Sequence, residues 1–167
     1  MLTTHQKLRL SRSEAEDFLF QQVAYIDDRN YEPWLSLFTP DAIYWAPARP
    51  TDTDPELQQS FMYDDFPMMV ARCERLLAFG TAGQQPITRS SHVVSNVRIG
   101  APPPDEEEVV VHSRFHVTQF RRDVLKYYSG SYTHTLVGTD EGIKIRRQRV
   151  DLIDCDGVHD TILQLYL

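Results

Sequence analysis

Six histidines, two cysteines and 24 acidic residues are the raw material for chemistry in this 167-residue chain. Their spacing decides which reactions they can serve. His112 and His116 lie on one face of a segment that reads as a strand. A mononuclear iron needs two imidazoles and a carboxylate converging on one point, whereas strand geometry separates these two rings by ~13 Å. They are therefore expected to be surface or interface histidines. An iron–sulfur cluster with mixed ligation needs paired Cys and His motifs, and neither Cys73 nor Cys155 has such a neighbour. His5 and His159 fall in a tail and a turn. The sequence contains no glycine-rich phosphate loop and no nucleophile elbow. The expectation is that this chain has no metal site and no cofactor site of its own. Lys144, Arg146, Arg147 and Arg149 form a local basic run. Alternation places Arg147 and Arg149 on one face of a strand and Lys144 and Arg146 on the other, so they make no single stripe. With a net charge of −7, nucleic-acid binding is disfavoured.

The elements that must position these groups are clearest in the last third. Segments 109–120, 125–137 and 143–153 are rich in β-branched and aromatic residues and are bounded by turn residues, the pattern of a meander. Their length, against the usual ~5–6 residues, predicts a strongly curved sheet. In the last segment Ile143 and Ile145 have one parity and Val150 and Leu152 the other, so an extra residue is expected near 146–148. Ahead of the meander, Ser11–Glu14 and Ser13–Glu16 both fit a capping box for a helix over 13–29. Its stripe is Ala15, Phe18, Leu19, Gln22, Val23 and Ile26. A short helix around Trp34 stops at Thr39–Pro40, and a short strand covers 41–45. Residues 46–63 read as a loop. A third helix, capped by Asp64 or Asp65, carries Met68, Met69, Ala71, Cys73, Leu76, Leu77 and Phe79, with Gly80 after its end. Strand 92–99 is expected to put Val93, Val97 and Ile99 on one face and His92, Val94, Asn96 and Arg98 on the other. Pro102–Pro104 and the acids after them read as a hairpin tip.

This order of elements predicts an α+β fold, with helices on the concave face of a mostly antiparallel sheet. The length suits one domain over 1–167, with 1–10 as a flexible arm. The apolar tail 162–167 is expected to pack into the core or a subunit contact. No signal peptide or membrane-length apolar run is visible, and two unpatterned cysteines suggest a reduced, cytoplasmic protein.

Three stretches, 27–44 (DDRNYEPWLSLFTPDAIY), 75–96 (RLLAFGTAGQQPITRSSHVVSN) and 128–153 (YSGSYTHTLVGTDEGIKIRRQRVDLI), carry a family likeness. Together they resemble the cystatin-like cone shared by nuclear transport factor 2 and ketosteroid isomerase. Within it, the chain looks most like the small (β) subunit of bacterial aromatic-ring-hydroxylating dioxygenases, although Thr81–Gln85 departs from the aromatic and acidic version of that segment. The resemblance implies a non-catalytic structural subunit, self-associating as a trimer and bound to a large α oxygenase subunit. That partner would carry a Rieske 2Fe–2S cluster and a mononuclear Fe(II), fed by NADH through a reductase. The complex would convert an aromatic compound, benzoate-type by preference, to a cis-dihydrodiol. Arg147, Arg149, Leu165 and Leu167 are then the subunit-interface candidates, and inverting either arginine's charge is expected to weaken assembly. Two rivals stand beside this reading. A stand-alone acid–base enzyme of the isomerase or dehydratase type, acting on a small cyclic substrate, would use Tyr25, Asp28 and His92, with Asp41 or Tyr44 nearby. A transport-factor-like binding module would offer the 46–63 loop to a peptide.

Overall fold

A computed structural model describes residues 8–78, 85–101, 107–159, 163 and 165–167. The expectations for His5, Phe79, Gly80, the Thr81–Gln84 stretch, the 102–106 tip, Ile162 and Gln164 lie outside the described residues. The elements are α1 (Arg12–Asp27), α2 (Tyr31–Ser36), β1 (Phe38–Pro47), β2 (Ser60–Asp65), α3 (Phe66–Leu77), β3 (Arg89–Ile99), β4 (Glu108–Arg121), β5 (Val124–Thr139) and β6 (Gly142–Leu152). The strands form one sheet in the order β2-β1-β6-β5-β4-β3. Its ladders are antiparallel except for β1 against β6. The expected α+β arrangement is present.

Of the two possible caps for α1, the chain uses Ser11: its hydroxyl accepts from the Glu14 N–H, and the Glu14 carboxylate accepts from the Ser11 N–H. The buried stripe is Ala15, Leu19, Gln22, Val23 and Ile26. Asp65 caps α3 by accepting from the Met68 N–H at 2.9 Å. Met69, Cys73 and Leu76 face inward, while Met68 and Leu77 are exposed. Two boundaries differ from the sequence reading. Strand β1 runs straight through Thr39–Pro40, because its ladder with β6 is interrupted between Phe38 and Ile43 and needs no N–H from Pro40. The segment read as a loop over 46–63 ends in β2, which pairs with β1 through Tyr63 and Trp45. Asp, Pro and Gln ahead of it hide the strand signal.

The extra residue expected near 146–148 is Arg146. Thr135 pairs with Arg147 and Leu136 with Ile145, leaving Arg146 outside the ladder. The bulge puts Ile145, Gln148, Val150 and Leu152 on the same inner face, all buried. A second irregularity corrects the reading of β3. Asn96 sits at φ 55° and the β3–β4 register shifts between Ser95 and Arg98, a left-handed position that Asn tolerates. Parity changes there, so His92, Val94 and Val97 face the core while Val93 and Ile99 are exposed.

The described residues of the C-terminal tail are core. Leu163, Leu165, Tyr166 and Leu167 are all buried. The Tyr44 hydroxyl donates to the Leu167 carbonyl at 2.9 Å and accepts from its N–H at 3.0 Å. The Tyr166 hydroxyl donates to Asp64 at 2.8 Å, and Arg72 closes on the same carboxylate at 2.6 and 2.9 Å. Leu165 and Leu167 are therefore not surface residues, which corrects their place among the interface candidates: the aromatic pocket of Trp34, Tyr44 and Tyr166 takes the tail inside the chain. Gly130 is equally constrained, since a Cβ there would strike the Asp151 carbonyl and lie 2.9 Å from the Phe115 ring. Tyr166→Phe should cost about 1–2 kcal/mol through the lost bond to a buried carboxylate, and Gly130→Ala about 1–3 kcal/mol through overpacking. Urea denaturation of the two variants measures both losses.

Candidate functional site

The inner face of the sheet carries a polar set amid an apolar core. Asp27, the last residue of α1, meets β3 through three bonds. Its Oδ1 lies 2.6 Å from His92 Nδ1 and accepts from the Ser90 hydroxyl at 2.7 Å, and its Oδ2 accepts from the His92 N–H at 2.8 Å. Burial pushes the Asp27 carboxyl up, but the bonds and charge of His92, with Ser90, outweigh it and hold the pKa below the ordinary value. Deeper in, the Tyr132 ring stacks on Phe115 at 4.2 Å and meets the His134 ring edge-on at 5.4 Å. Burial raises the Tyr132 hydroxyl well above its usual range. Burial also drives His134 down to about 3, although the Gln148 amide beside it pulls the other way, so its imidazole is neutral. Gln148 is itself bound by Gln22 of α1 at 2.6 Å. The Tyr132 hydroxyl, the Ser113 hydroxyl, both His134 nitrogens and His92 Nε2 are buried without a hydrogen-bond partner among the described residues.

The three residues of the acid–base reading are not brought together. Asp28 is exposed and Tyr25 half-buried, and among the described residues neither is bonded to His92. The carboxylate that reaches His92 is Asp27, one residue earlier. Tyr44 is committed to the Leu167 main chain, and the exposed Asp41 pairs with Arg146 at 3.2 Å. Sequence reasoning passed over Asp27, Tyr132 and His134. The alternation Tyr128–Gly130–Tyr132–His134 along β5 was the available signal for the last two.

The remaining candidates point outward. His112 Nδ1 faces Thr133 Oγ1 at 3.2 Å and His116 Nδ1 faces Ser129 Oγ at 2.8 Å, each bound to its own hydroxyl. Among the described residues no group of three or more His, Cys, Asp or Glu side chains is placed to hold a metal ion. Cys73 and Cys155 are buried free thiols, and burial pushes Cys73 up to about 12. Arg149 forks onto Asp151 at 2.7–2.9 Å, donates to the Asp52 carbonyl at 2.7 Å and covers the Trp45 ring at 4.6 Å. Arg147 is exposed and has no bonded partner among the described residues.

Asp27 thus works as a clamp between α1 and β3. Its stabilisation is complete above the unfolded carboxylate pKa of ~3.9 and is lost as pH falls through its lower folded value. Asp27→Asn should cost about 1–3 kcal/mol at pH 7, and thermal melts should show the gap to the parent narrowing below about pH 4.

Comparisons with known proteins agree with this architecture. Residues 21–156 match the family described as ring hydroxylating beta subunit. The small oxygenase component of the p-cumate 2,3-dioxygenase system of Pseudomonas putida is 30% identical over 142 residues, covering 84% of this chain and 78% of that protein. The 2-halobenzoate 1,2-dioxygenase small subunit of Burkholderia cepacia is 28% identical over 150 residues, covering 87% of this chain and 89% of that one. Among solved structures, the β subunit of benzoate 1,2-dioxygenase from Burkholderia mallei ATCC 23344 superposes with a TM-score of 0.73 at 20% identity, covering 93% of this chain and 99% of that chain. With the sequence match running from within α1 to just past the end of β6 and the same cone beneath it, the chain belongs to the ring-hydroxylating β-subunit family, the small subunits of aromatic-ring-hydroxylating dioxygenases.

Proposed function

We propose that this chain is the non-catalytic, structural β subunit of a terminal oxygenase built from three α and three β chains, working in the cytoplasm on a benzoate-type acid to give a cis-dihydrodiol. The observation that carries the reading is the family match over residues 21–156. The small subunit of a 2-halobenzoate dioxygenase among its relatives supports the acid as substrate class. The α partner would hold the Rieske cluster and the mononuclear iron and take electrons from NADH through a reductase. The donor set of the described residues does not fit such groups: the cysteines are buried thiols, His112 and His116 are each spent on a hydroxyl, and His159 on the Asp154 carbonyl. Its part is to hold α subunits in a fixed ring, which asks for a rigid body rather than a mobile site. The tail locked onto Tyr44 and Asp64, and the three-bond clamp at Asp27, supply that rigidity.

The one-domain reading of 1–167 and the arm over 1–10 belong to this proposal as well. The loops at the ends of the sheet and its outer face away from the 48–59 segment are the surfaces left for other subunits, since the described tail residues are internal. Of the four interface candidates, Arg147 and Arg149 reach the outer face, beside that segment, and Arg149 is occupied within its own chain.

Size-exclusion chromatography of the chain expressed alone and together with its large subunit tests the reading. The co-expressed pair should elute as one assembly of six chains that oxygenates a benzoate in the presence of reductase and NADH. The chain alone should show no turnover of benzoates or of cyclic ketones and alcohols. A chain that turns over a substrate unaided, or that elutes apart from the large subunit, would sink the proposal.

A further inference from the structure

The outer face of the sheet holds a cleft that the structural role leaves unexplained. Beyond the Arg146 bulge, Arg147, Arg149 and Asp151 point outward while Gln148, Val150 and Leu152 point in. The ladders set two neighbouring rows across this face. One runs Asp65–Ile43–Arg147–Thr135 and the next Tyr63–Trp45–Arg149–Thr133. The segment between β1 and β2 folds over both rows as a flap. Its base is closed by the Ala48 N–H donating to the Gln59 carbonyl at 3.1 Å. Within it the Gln58 side chain accepts from the N–H groups of Thr53 and Asp54, each at 2.8 Å. Arg149 pins the flap from below through the Asp52 carbonyl. The enclosed cleft measures about 320 Å³, at the small end of ligand pockets, which run roughly 300–1,000 Å³.

The lining divides by chemistry. Trp45, Tyr63 and Pro55 make apolar and aromatic walls, and Thr133, Thr135, Arg147 and Arg149 supply the polar part. The Arg149 charge is matched by Asp151, and the Thr133 hydroxyl faces His112. Arg147 and Thr135 are cross-strand neighbours with no bonded partner among the described residues. The other acid on this row, Asp65, caps α3 and lies two strands away from Arg147, ~10 Å. A guanidinium whose fork is free, beside a free hydroxyl and one row from an aromatic wall, is matched by a planar carboxylate on a flat apolar ring.

We propose that the cleft between the 48–59 flap and the outer face of β1, β6 and β5 binds a small monocyclic aromatic carboxylate, its carboxylate on Arg147 and Thr135 and its ring against the wall that Trp45, Tyr63 and Pro55 form. The flap is pinned before any ligand arrives, so the site is preformed and the ligand has little ordering cost to meet. An acidic side chain of the large subunit offers the same charge, but it would leave the aromatic walls without a ring to cover. The site is independent of which substrate the assembled oxygenase turns over.

Titration of the ¹⁵N-labelled chain with sodium benzoate tests this. The two tryptophans report separately, because Trp34 is in the core whereas Trp45 lines the cleft and donates its indole N–H to Ser60 at 2.8 Å. The Trp45 indole resonance should shift saturably while that of Trp34 stays still. Arg147→Gln should weaken binding at least about tenfold, Thr135→Val several-fold, and benzyl alcohol should bind about tenfold more weakly than benzoate. Neither substituted side chain has a bonded partner to lose, so both variants should keep the parent's fold by circular dichroism. The assembly with the large subunit should still bind benzoate at this site, read by calorimetry as heat that the Arg147→Gln assembly lacks. No saturable shift, or equal binding by Arg147→Gln, overturns the site. Binding to the isolated chain that disappears on assembly overturns the free-acid reading and gives the cleft to a carboxylate of the partner.

Discussion

Side-chain alternation along a strand is the constraint on which this molecule depends. A strand has two faces and a period of two, and β4, β5 and β6 are long enough that any phase error would bury charge. Without the Arg146 bulge, the phase that buries Ile143 and Ile145 would also point Arg147 and Arg149 into the core. The cost would be several kcal/mol for each guanidinium left without a partner. With the bulge, Ile145, Val150 and Leu152 are buried together and both arginines reach the outer face. The Asn96 irregularity does the same for β3, bringing Val94 and Val97 inside. Bulges also bend and twist a sheet, so the devices that keep the phase right also help to curve it over the helices.

The curved inner face is closed by polar bonds at both ends. At the tail, Tyr44, Tyr166, Asp64 and Arg72 form a satisfied network in which each buried polar group meets another. At the α1–β3 junction, Asp27 is bound three times, while His92 Nε2, the Tyr132 hydroxyl and both His134 nitrogens have no partner among the described residues. Homologous folds do not imply homologous chemistry. Here the acid–imidazole pair joins two elements through the His92 main chain as well as its ring, which is the bonding of a clamp.

Much of the fold was legible in the sequence. The meander showed in its β-branched and aromatic runs, α1 in its capping box and stripe, and the β6 bulge in the conflict between Ile145 and Val150. What escaped had physical reasons. Strand β2 is six residues long, too short to show a period beside Asp-rich flanks. The face of β3 was misread because one left-handed Asn changes parity without changing composition. Asp27 and Asp28 are adjacent and alike, and only the turn of the helix decides which one reaches His92. The tail residues Leu165 and Leu167 have the same composition whether they bury within a chain or between chains, so sequence could not separate core from interface.

The same limit explains the two arginines of β6. Arg147 and Arg149 share a face, a strand and a residue type, and periodicity treats them as one feature. Their neighbours separate them. Arg149 has Trp45 on one side, Asp151 two residues ahead and a flap carbonyl above, so its guanidinium is used up in holding the loop to the sheet. Arg147 sits one row away beside Ile43 and Thr135, which offer it no acceptor that it takes. Arg147 is exposed, so water solvates its guanidinium and it stands unmatched at little cost, with its fork left free. Periodicity reads residue type and face alone, so the difference between a committed guanidinium and a free one shows only when the neighbouring strands and the flap are in place.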